Sequence, residues 1–299
     1  MSFKETTVNN KTYDIINNKI LELLEGGIIP WVKGWNSSTS MPKNLVSKKE
    51  YKGVNVFLLA CNEFSSPWYL TYNQCATLGG HVLKGSKSTP VIFWKMFDKS
   101  TKDQDEDTTS NGKSFILKYY SVFNLEQTEG ITAIPPTTEV INPFSPIEQA
   151  EQIIEGMPLK PEIKYGGGRA YYSPSLDYCQ IPSKTAFNSP EEYYSTMFHE
   201  LAHSSGHANR LGRKTILEPS YFGSHEYSKE ELVAECCSAF ISGHCGIEHK
   251  TLENSAAYIQ GWLKALKNDK TLLVHAASQG QKAADYILNI KPEEQEESE

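Results

Sequence analysis

The chain has 299 residues, a net charge of −7 and 39% hydrophobic residues, which is enough length for two domains, or one large one, around a buried core. Its six cysteines (Cys61, Cys75, Cys179, Cys236, Cys237, Cys245) form no C-x-x-C pair and read as reduced thiols of a cytoplasmic protein, against a disulfide framework. No apolar run approaches the ~18 residues of a membrane span, and the start MSFKETTVNNK lacks a signal peptide's apolar region, so the expectation is a protein made and used inside the cell with no membrane partner.

The charge is uneven. Residues 1–100 hold 12 lysines against 7 acidic residues, a local +5 that leaves −12 for the rest, so a polyanion partner is expected for the front half alone. YDIINNKILELLE (13–25) carries Ile15, Ile16, Ile20, Leu23 and Leu24 at helical spacing until Gly26-Gly27 stops it, which predicts an amphipathic helix. Trp31 and Trp35 then interleave with Lys33, Lys43, Lys48, Lys49 and Lys52. Such a mixture suits single-stranded nucleic acid, because bases stack on rings while ammonium groups follow phosphates. Residues 54–61 read as the start of a helix after the Gly53 turn. Residues 81–97 read as two strands joined by a Gly/Ser/Lys turn. The polar stretch 98–114 is an exposed loop, and 115–127 resumes as a strand of the same sheet, so a first domain spans 1–130.

Residues 131–145 are a proline-punctuated linker. A second domain is expected over 146–290, followed by a solvated acidic tail at 291–299. PIEQAEQIIEGM reads as a helix and 166–182 as a turn with two short strands. Directly after comes SPEEYYSTMFHELAHSSGH (189–207). Ser189 can cap a helix, Pro190 suits its first position, and Glu192 completes a capping box. Tyr194, Met197, Phe198, Leu201 and Ala202 supply the apolar stripe. His199 and His203 then share one helix face with Glu200 beside them, the H-E-x-x-H arrangement. In it zinc activates a water and the glutamate takes the proton as a carbonyl is attacked.

A third protein ligand is needed. The metzincin spacing would put a histidine where this chain has Asn209. SKEELVAECCSAF (228–240) instead offers Glu231 and Glu235, four apart on one face, which resembles the gluzincin arrangement: there the first carboxylate binds metal and the second orients a ligand histidine. Glu231 is the first choice and Glu235 its partner, with Glu235, His207 and His225 as alternative ligands. Against Glu231 stands a capping box with Ser228 that would hold it at a helix start. Zinc is the expected ion, with manganese and cobalt as alternatives. Tyr221, His225 and Tyr227 are candidates to stabilise an oxyanion. In zincin folds a strand such as that in 166–182 edges the cleft, and a peptide can add to it. Helices over 255–268 and 271–289 are expected to pack beneath the metal helix.

The chain resembles the ArdC-like antirestriction proteins of mobile elements. The resemblance rests on Met41-Pro42-Lys43-Asn44, Tyr51-Lys52-Gly53-Val54-Asn55, Trp68, Leu70-Thr71-Tyr72-Asn73-Gln74, Val82-Leu83-Lys84-Gly85, Phe93-Trp94-Lys95, Val122-Phe123-Asn124, the H-E-x-x-H helix, the segment 230–235, Trp262-Leu263-Lys264 and Gln281-Lys282-Ala283-Ala284-Asp285-Tyr286, in that order. It implies an α+β fold of two domains: a small mixed α/β domain binding single-stranded DNA, then a mainly helical zincin-like metallopeptidase domain with a short edge-strand sheet. It also implies DNA contacts from Trp31, Trp35, Lys43, Asn44, Tyr51, Lys52, Trp68, Tyr72, Lys84, Trp94 and Lys95. The long acidic loop at 98–114 departs from the family pattern.

The leading expectation is therefore a zinc peptidase in which His199, His203 and Glu231 hold the ion and Glu200 is the general base. Its substrate would be a protein or peptide, DNA-bound or part of a host restriction or nuclease system, brought close by the DNA-binding domain. The alternative is a binding protein that shields single-stranded DNA, its zincin half structural or partner-binding. A third reading, a DNA mimic, fits the net charge but not the basic front half.

Overall fold

The computed structural model describes residues 9–32, 41–62, 64–98, 113–131, 146–218, 225–247 and 256–291. Trp35, most of the 98–114 loop, the 131–145 linker beyond Ile131, Tyr221 and nearly all of the 291–299 tail lie outside them.

The front half begins with α1 (Asn9–Glu25), whose Tyr13, Ile16, Ile20 and Leu24 are buried along one face. Gly27 ends it in the left-handed region (φ 78°), which lets the Ile28 amide donate back to the Leu23 carbonyl at 2.8 Å. β1 (Lys43–Asn44) precedes α2 (Val54–Ala60), a short helix buried at every position through Leu59. Next come β2 (Trp68–Thr71), α3 (Tyr72–Thr77), β3 (His81–Val82), β4 (Thr89–Asp98), β5 (Lys113–Asn124) and β6 (Thr128–Glu129). The main sheet runs β1-β2-β5-β4, parallel at β1/β2 and antiparallel elsewhere. β4 is an edge strand, and the buried Asn55 amide covers part of its rim: it accepts from Ile92 N at 2.7 Å and donates to Ile92 O at 2.8 Å. The loop after residue 98 does join two strands of one sheet. The two strands expected within 81–97 exist but do not pair with each other, since β3 pairs with β6 in a separate ribbon.

In the second half, α4 (Pro146–Gly156) leads to a three-stranded sheet of β7 (Glu162–Tyr165), β8 (Tyr171–Ser173) and β9 (Tyr178–Ile181), in the order β7-β9-β8. The sequence reading has no counterpart for β7. Helices α5 (Pro190–Ser205), α6 (Lys214–Leu217), α7 (His225–Cys245), α8 (Ala256–Asn268) and α9 (Leu272–Ile287) follow. α7 lies against both α5 and α9, whereas α8 packs on α1 and α9. Only the second of the two closing helices therefore supports the metal helix as expected. The α7/α9 crossing is close because Gly280 has no side chain: a Cβ there would sit 2.7 Å from Cys236 Cβ and 3.0 Å from Val233 O.

One hydrophobic cluster runs from α1 and α2 through α5, α7 and α9. Phe57 of α2 stacks on Phe240 of α7 with centroids 4.8 Å apart. Among the described residues no helix is long and apolar enough to cross a membrane.

Candidate metal centre

α5 is fixed at its start as the sequence predicts, with one shift. Ser189 Oγ accepts from Glu192 N at 3.2 Å and Pro190 opens the helix. The Glu192 carboxylate, however, accepts from the backbone and side-chain amides of Asn188, at 2.9 and 3.0 Å, instead of closing a box on Ser189. Burial of Tyr193, Tyr194, Met197, Phe198, Leu201 and Ala202 then leaves His199 and His203 on the one face that opens to a cleft. α7 starts at His225, three residues before Ser228, so Ser228 and Glu231 sit inside the helix. The capping arrangement that would have held Glu231 back does not form.

The two helices bring three side chains to one point. His199 Nε2 and His203 Nε2 are 3.1 Å apart, Glu231 Oε2 is 3.4 Å from the first and Oε1 3.7 Å from the second. A tetrahedral ion with bonds of about 2.0–2.2 Å spaces neighbouring donors by about 3.3–3.5 Å, so the chemistry and the spacing both fit a divalent metal. Among the described residues this is the one cluster of His, Cys, Asp and Glu whose ligand atoms converge in this way. His207 is elsewhere, accepting from Asn209 N.

Each histidine is backed by a different carboxylate on its other nitrogen. Glu235 Oε1 lies 4.0 Å from His199 Nδ1, and Glu230 Oε1 lies 3.3 Å from His203 Nδ1. Glu230 is a residue the sequence reading missed. It is almost wholly buried, and Arg213, only 7% exposed, clamps it with Nε at 3.1 Å and Nη2 at 2.5 Å, while the Thr215 hydroxyl donates to its other side. The guanidinium also donates to Ser205 Oγ and Ala202 O at 2.7 Å. It passes over Gly206, where a Cβ would meet Arg213 Cζ at 3.0 Å and Ile216 Cγ1 at 2.6 Å. The glycine that follows the motif is thus a packing requirement of this clamp.

Charge follows geometry. Burial opposes ionisation of Glu230, but hydrogen bonds from His203 and Arg213 win and hold its carboxyl down at about 2. Glu231 is likewise held at about 2, the His199 hydrogen bond and both imidazoles outweighing burial. Burial would lower His199, yet Glu231, Glu235 and Glu200 raise it to about 9. Burial raises Glu235, more than His199 lowers it. An arriving cation would meet ready carboxylates and would displace a proton from His199.

The cleft has a volume of about 570 Å³ and is lined, beside the histidines, by Tyr171, Tyr172, Pro174, Glu200, Ile216, Glu218 and Tyr227. β8, which carries Tyr171 and Tyr172, is an edge of its sheet. The turn after it is braced by a bidentate Arg210–Asp177 pair (2.7 and 3.0 Å), by Tyr172 Oη donating to Asp177 at 2.9 Å, and by Arg210 donating to Ser204 O. Of the oxyanion candidates, Tyr227 faces the cleft, while Tyr221 and the His225 side chain lie outside the description.

The proposed DNA contacts divide in two. Trp31 (1% exposed), Tyr51 and Trp68 are buried and offer no free ring face, which corrects their assignment. Trp31 instead donates to Tyr258 Oη at 3.4 Å and packs edge-on against Trp262. Asn44 is spent on local structure: its Nδ2 donates to Tyr51 Oη and Gln74 Oε1, and its Oδ1 accepts from Val46 N and Ser47 N. Lys43 pairs with Glu50 at 3.3 Å and Lys52 with Asp285 at 3.4 Å. Tyr72, Lys84, Trp94 and Lys95 are exposed. The sequence reading missed the rest of an aromatic surface on β4 and β5. Rings run in contact from buried Tyr69 and Tyr51 to Phe93 and Tyr120, 46% and 42% exposed, at centroid steps of 6.4, 6.0 and 5.8 Å. Lys118 sits opposite Phe93, and Lys95 shares its face by strand alternation.

Known proteins place both halves. The family described as the N-terminal domain of the anti-restriction factor ArdC matches residues 10–123, and the family described as a zincin-like metallopeptidase matches residues 148–279. Two Escherichia coli proteins named DNA primase TraC are 33% identical over 95% and 97% of the chain, which spans 20% and 28% of their lengths. An uncharacterized protein of Sinorhizobium fredii is 32% identical over 92% of the chain and 91% of its own length. Two crystal structures of a plasmid antirestriction protein ArdC are similar throughout. The metal-free form has TM-score 0.70 and 31% identity over 92% of this chain and 96% of that one; the Mn(II)-bound form has 0.69 and 30% over 93% and 97%.

Proposed function

The chain belongs to the ArdC family of antirestriction proteins with a zincin-like metallopeptidase domain, and from that premise we propose that it is a metal-dependent peptidase carried beside a single-stranded DNA-binding surface. The observation that carries the reading is the convergence of His199, His203 and Glu231 in an open cleft with Glu200 alongside. A bound divalent ion supplies Lewis-acid polarisation of a carbonyl and acidification of water. The donor set suits zinc, and the Mn(II)-bound relative makes manganese an alternative ion.

The chain's own residues do the remainder. Glu230 orients the His203 imidazole through Nδ1 so that its Nε2 faces the cleft, and the Glu235 carboxylate, 4.0 Å from His199 Nδ1, acts on the other ring through its charge. Glu200 accepts the proton of the attacking water and returns it to the leaving amine. The exposed edge of β8 receives an extended peptide by backbone hydrogen bonds. On the front half, the Phe93–Tyr120 rings stack bases while Lys95 and Lys118 on the same face follow phosphates; of the exposed β4 residues in the sequence-derived set only Lys95 shares that face, since Trp94 alternates to the other.

Glu200→Gln tests the chemistry. Hydrolysis of an unfolded protein substrate is expected to fall by at least about a hundredfold, with metal content by elemental analysis unchanged. Undiminished hydrolysis sinks the mechanism. If the variant still protects single-stranded DNA from nuclease as the native chain does, protection belongs to binding alone, the reading that the metal-independent aromatic surface favours.

A further inference from the structure

An open depression of about 640 Å³ adjoins the metal cleft, and Tyr171 lines both. Tyr165, Arg169 and the run Gly166-Gly167-Gly168, which lies between β7 and β8, line the depression as well. Gly166 and Gly167 take φ of 108° and 73°, a region that residues with side chains rarely adopt, and Gln180 holds the turn by donating from Nε2 to Lys164 O at 3.2 Å and Gly166 O at 2.6 Å. Of the chain's three arginines, Arg210 and Arg213 are locked in ion pairs with Asp177 and Glu230. Arg169 is exposed, and among the described residues no carboxylate pairs with it. The Tyr165 hydroxyl and the Gly167 and Gly168 amides likewise have no acceptor among the described residues. In the linings of the cleft and the depression together, Arg169 is the one side chain with a permanent positive charge.

We propose that Arg169 selects the substrate: the depression takes an acidic side chain, aspartate or glutamate, of a peptide lying along β8 close to its scissile bond. This rests on the reading of the cleft as a peptide groove. β8 begins two residues after Arg169, a span of at most about 7 Å, so a peptide paired with that edge passes the guanidinium. An arginine fork receives a carboxylate through paired N–H bonds, and the Tyr165 hydroxyl and the glycine amides add further donors. Glu230 is neutralised by Arg213 and Glu231 belongs to the metal centre, but Glu200 and Glu218 repel a carboxylate elsewhere in the groove. The position of Arg169 therefore sets the register in which an acidic peptide lies. A polyphosphate meets the same two carboxylates along its whole length, which favours a peptide over a nucleic acid here.

Fluorescein-labelled unstructured peptides with Glu, Gln or Lys at each position in turn test this on the Zn²⁺-loaded full chain, as substrates of the native protein and as ligands of Glu200→Gln in anisotropy titrations. At one position Glu should be bound, and cut as judged by kcat/KM, at least about tenfold better than Gln, with Lys poorest. Arg169→Glu should reverse the order to Lys over Glu. Gly168→Trp, at a position where a Cβ meets nothing within 4 Å and φ is not left-handed, should fill the depression. Glu and Gln should then come to within about twofold of each other. Glu favoured in binding while the native chain cuts no peptide upholds the pocket and sinks the peptidase reading alone. Glu and Gln treated alike at every position in both assays, or a Glu preference that survives Arg169→Glu, overturns the assignment. So does a loss of single-stranded DNA affinity in Arg169→Glu with the peptide order unchanged, which would give the depression to nucleic acid.

Discussion

Replacing Arg213 by Met should cost the protein both stability and metal. The guanidinium and the Glu230 carboxylate are buried together, at 7% and 4% exposure, and removing one partner leaves the other charged in a site without water. Breaking a buried pair of this kind costs about 3–5 kcal/mol. An independent route gives a similar size: a carboxyl held at about 2 in place of its ordinary 4.5 corresponds to roughly 3 kcal/mol of favourable interaction with the charged form, shared between Arg213 and His203. A loss of about 3 kcal/mol lowers the melting temperature of a chain this long by about 5–10 °C. With Glu230 free to move, His203 loses the carboxylate that sets its orientation, and affinity for Mn²⁺ or Zn²⁺ should fall about 10–100-fold. The assay is thermal melting with and without metal, paired with a metal titration of the same variant. Adding Glu230→Gln should restore part of the stability, since no buried charge is then orphaned, yet leave the metal affinity low. A melting temperature within about 2 °C of native, together with an unchanged metal affinity, would refute the view that this pair sustains the centre.

Phe93→Ala and Tyr120→Ala should each weaken single-stranded DNA binding by about 1–3 kcal/mol in a fluorescence titration, whereas Trp31→Ala should cost about 3–5 kcal/mol of stability with DNA affinity within about twofold of native. A Trp31 effect confined to DNA would overturn that split. Gly280→Ala should destabilise by about 1–3 kcal/mol, because the backbone of α7 cannot yield, while Gly261→Ala, where a Cβ meets nothing within 4 Å, should stabilise by about 0.5–1 kcal/mol; urea midpoints of the two variants should move in opposite directions. Asp177 is burdened by burial, but the hydrogen bonds and charge of Arg210 and the Tyr172 hydroxyl hold its carboxyl below the ordinary range. Its contribution is therefore present above the unfolded-state value of about 3.9 and is lost as pH falls below it. Asp177→Asn should be less stable than native at neutral pH and converge with it in acid-unfolding curves below pH of about 4; parallel curves would count against this.

The three side chains of the candidate metal centre were legible because their signal is local. A helix start at Ser189, two histidines four apart and two acids four apart need no knowledge of distant contacts. Glu230 was not legible for the opposite reason: it reads as one more acid beside Glu231, and its role depends on Arg213, 17 residues away on a segment with no periodicity of its own. Trp31 misled for a related reason. An aromatic among lysines looks the same in sequence whether it faces solvent or packs on Trp262, and only the partner chosen from α8 separates the two. Phe93 and Tyr120 were hidden because they meet across a strand pair rather than along the chain. β7 escaped because EIKY alternates weakly and owes its strand state to parallel pairing with β9.

The way the halves join bears on how a peptidase beside DNA would work. A flexible tether raises the effective concentration of any target within reach, but this chain is not joined by the linker alone. Phe57 stacks on Phe240, Lys52 pairs with Asp285, and Gly53 N donates to Gln281 Oε1 at 3.2 Å. Trp31 reaches Tyr258 of α8. With a shared core the cleft is held at a set distance and angle from the β4/β5 aromatic surface. On the proposed reading, proximity would then favour only those DNA-bound proteins that present an extended segment at that distance and orientation, because a rigid span gains nothing for sites it cannot bridge. Selectivity among targets would come from the geometry of the joint as much as from the walls of the cleft. Loosening the joint, with Phe57→Ala as the simplest way to do so, should therefore lower cleavage of a target bound to single-stranded DNA while leaving cleavage of a free unfolded peptide nearly unchanged. Equal losses on both substrates would assign the stacking contact to stability alone.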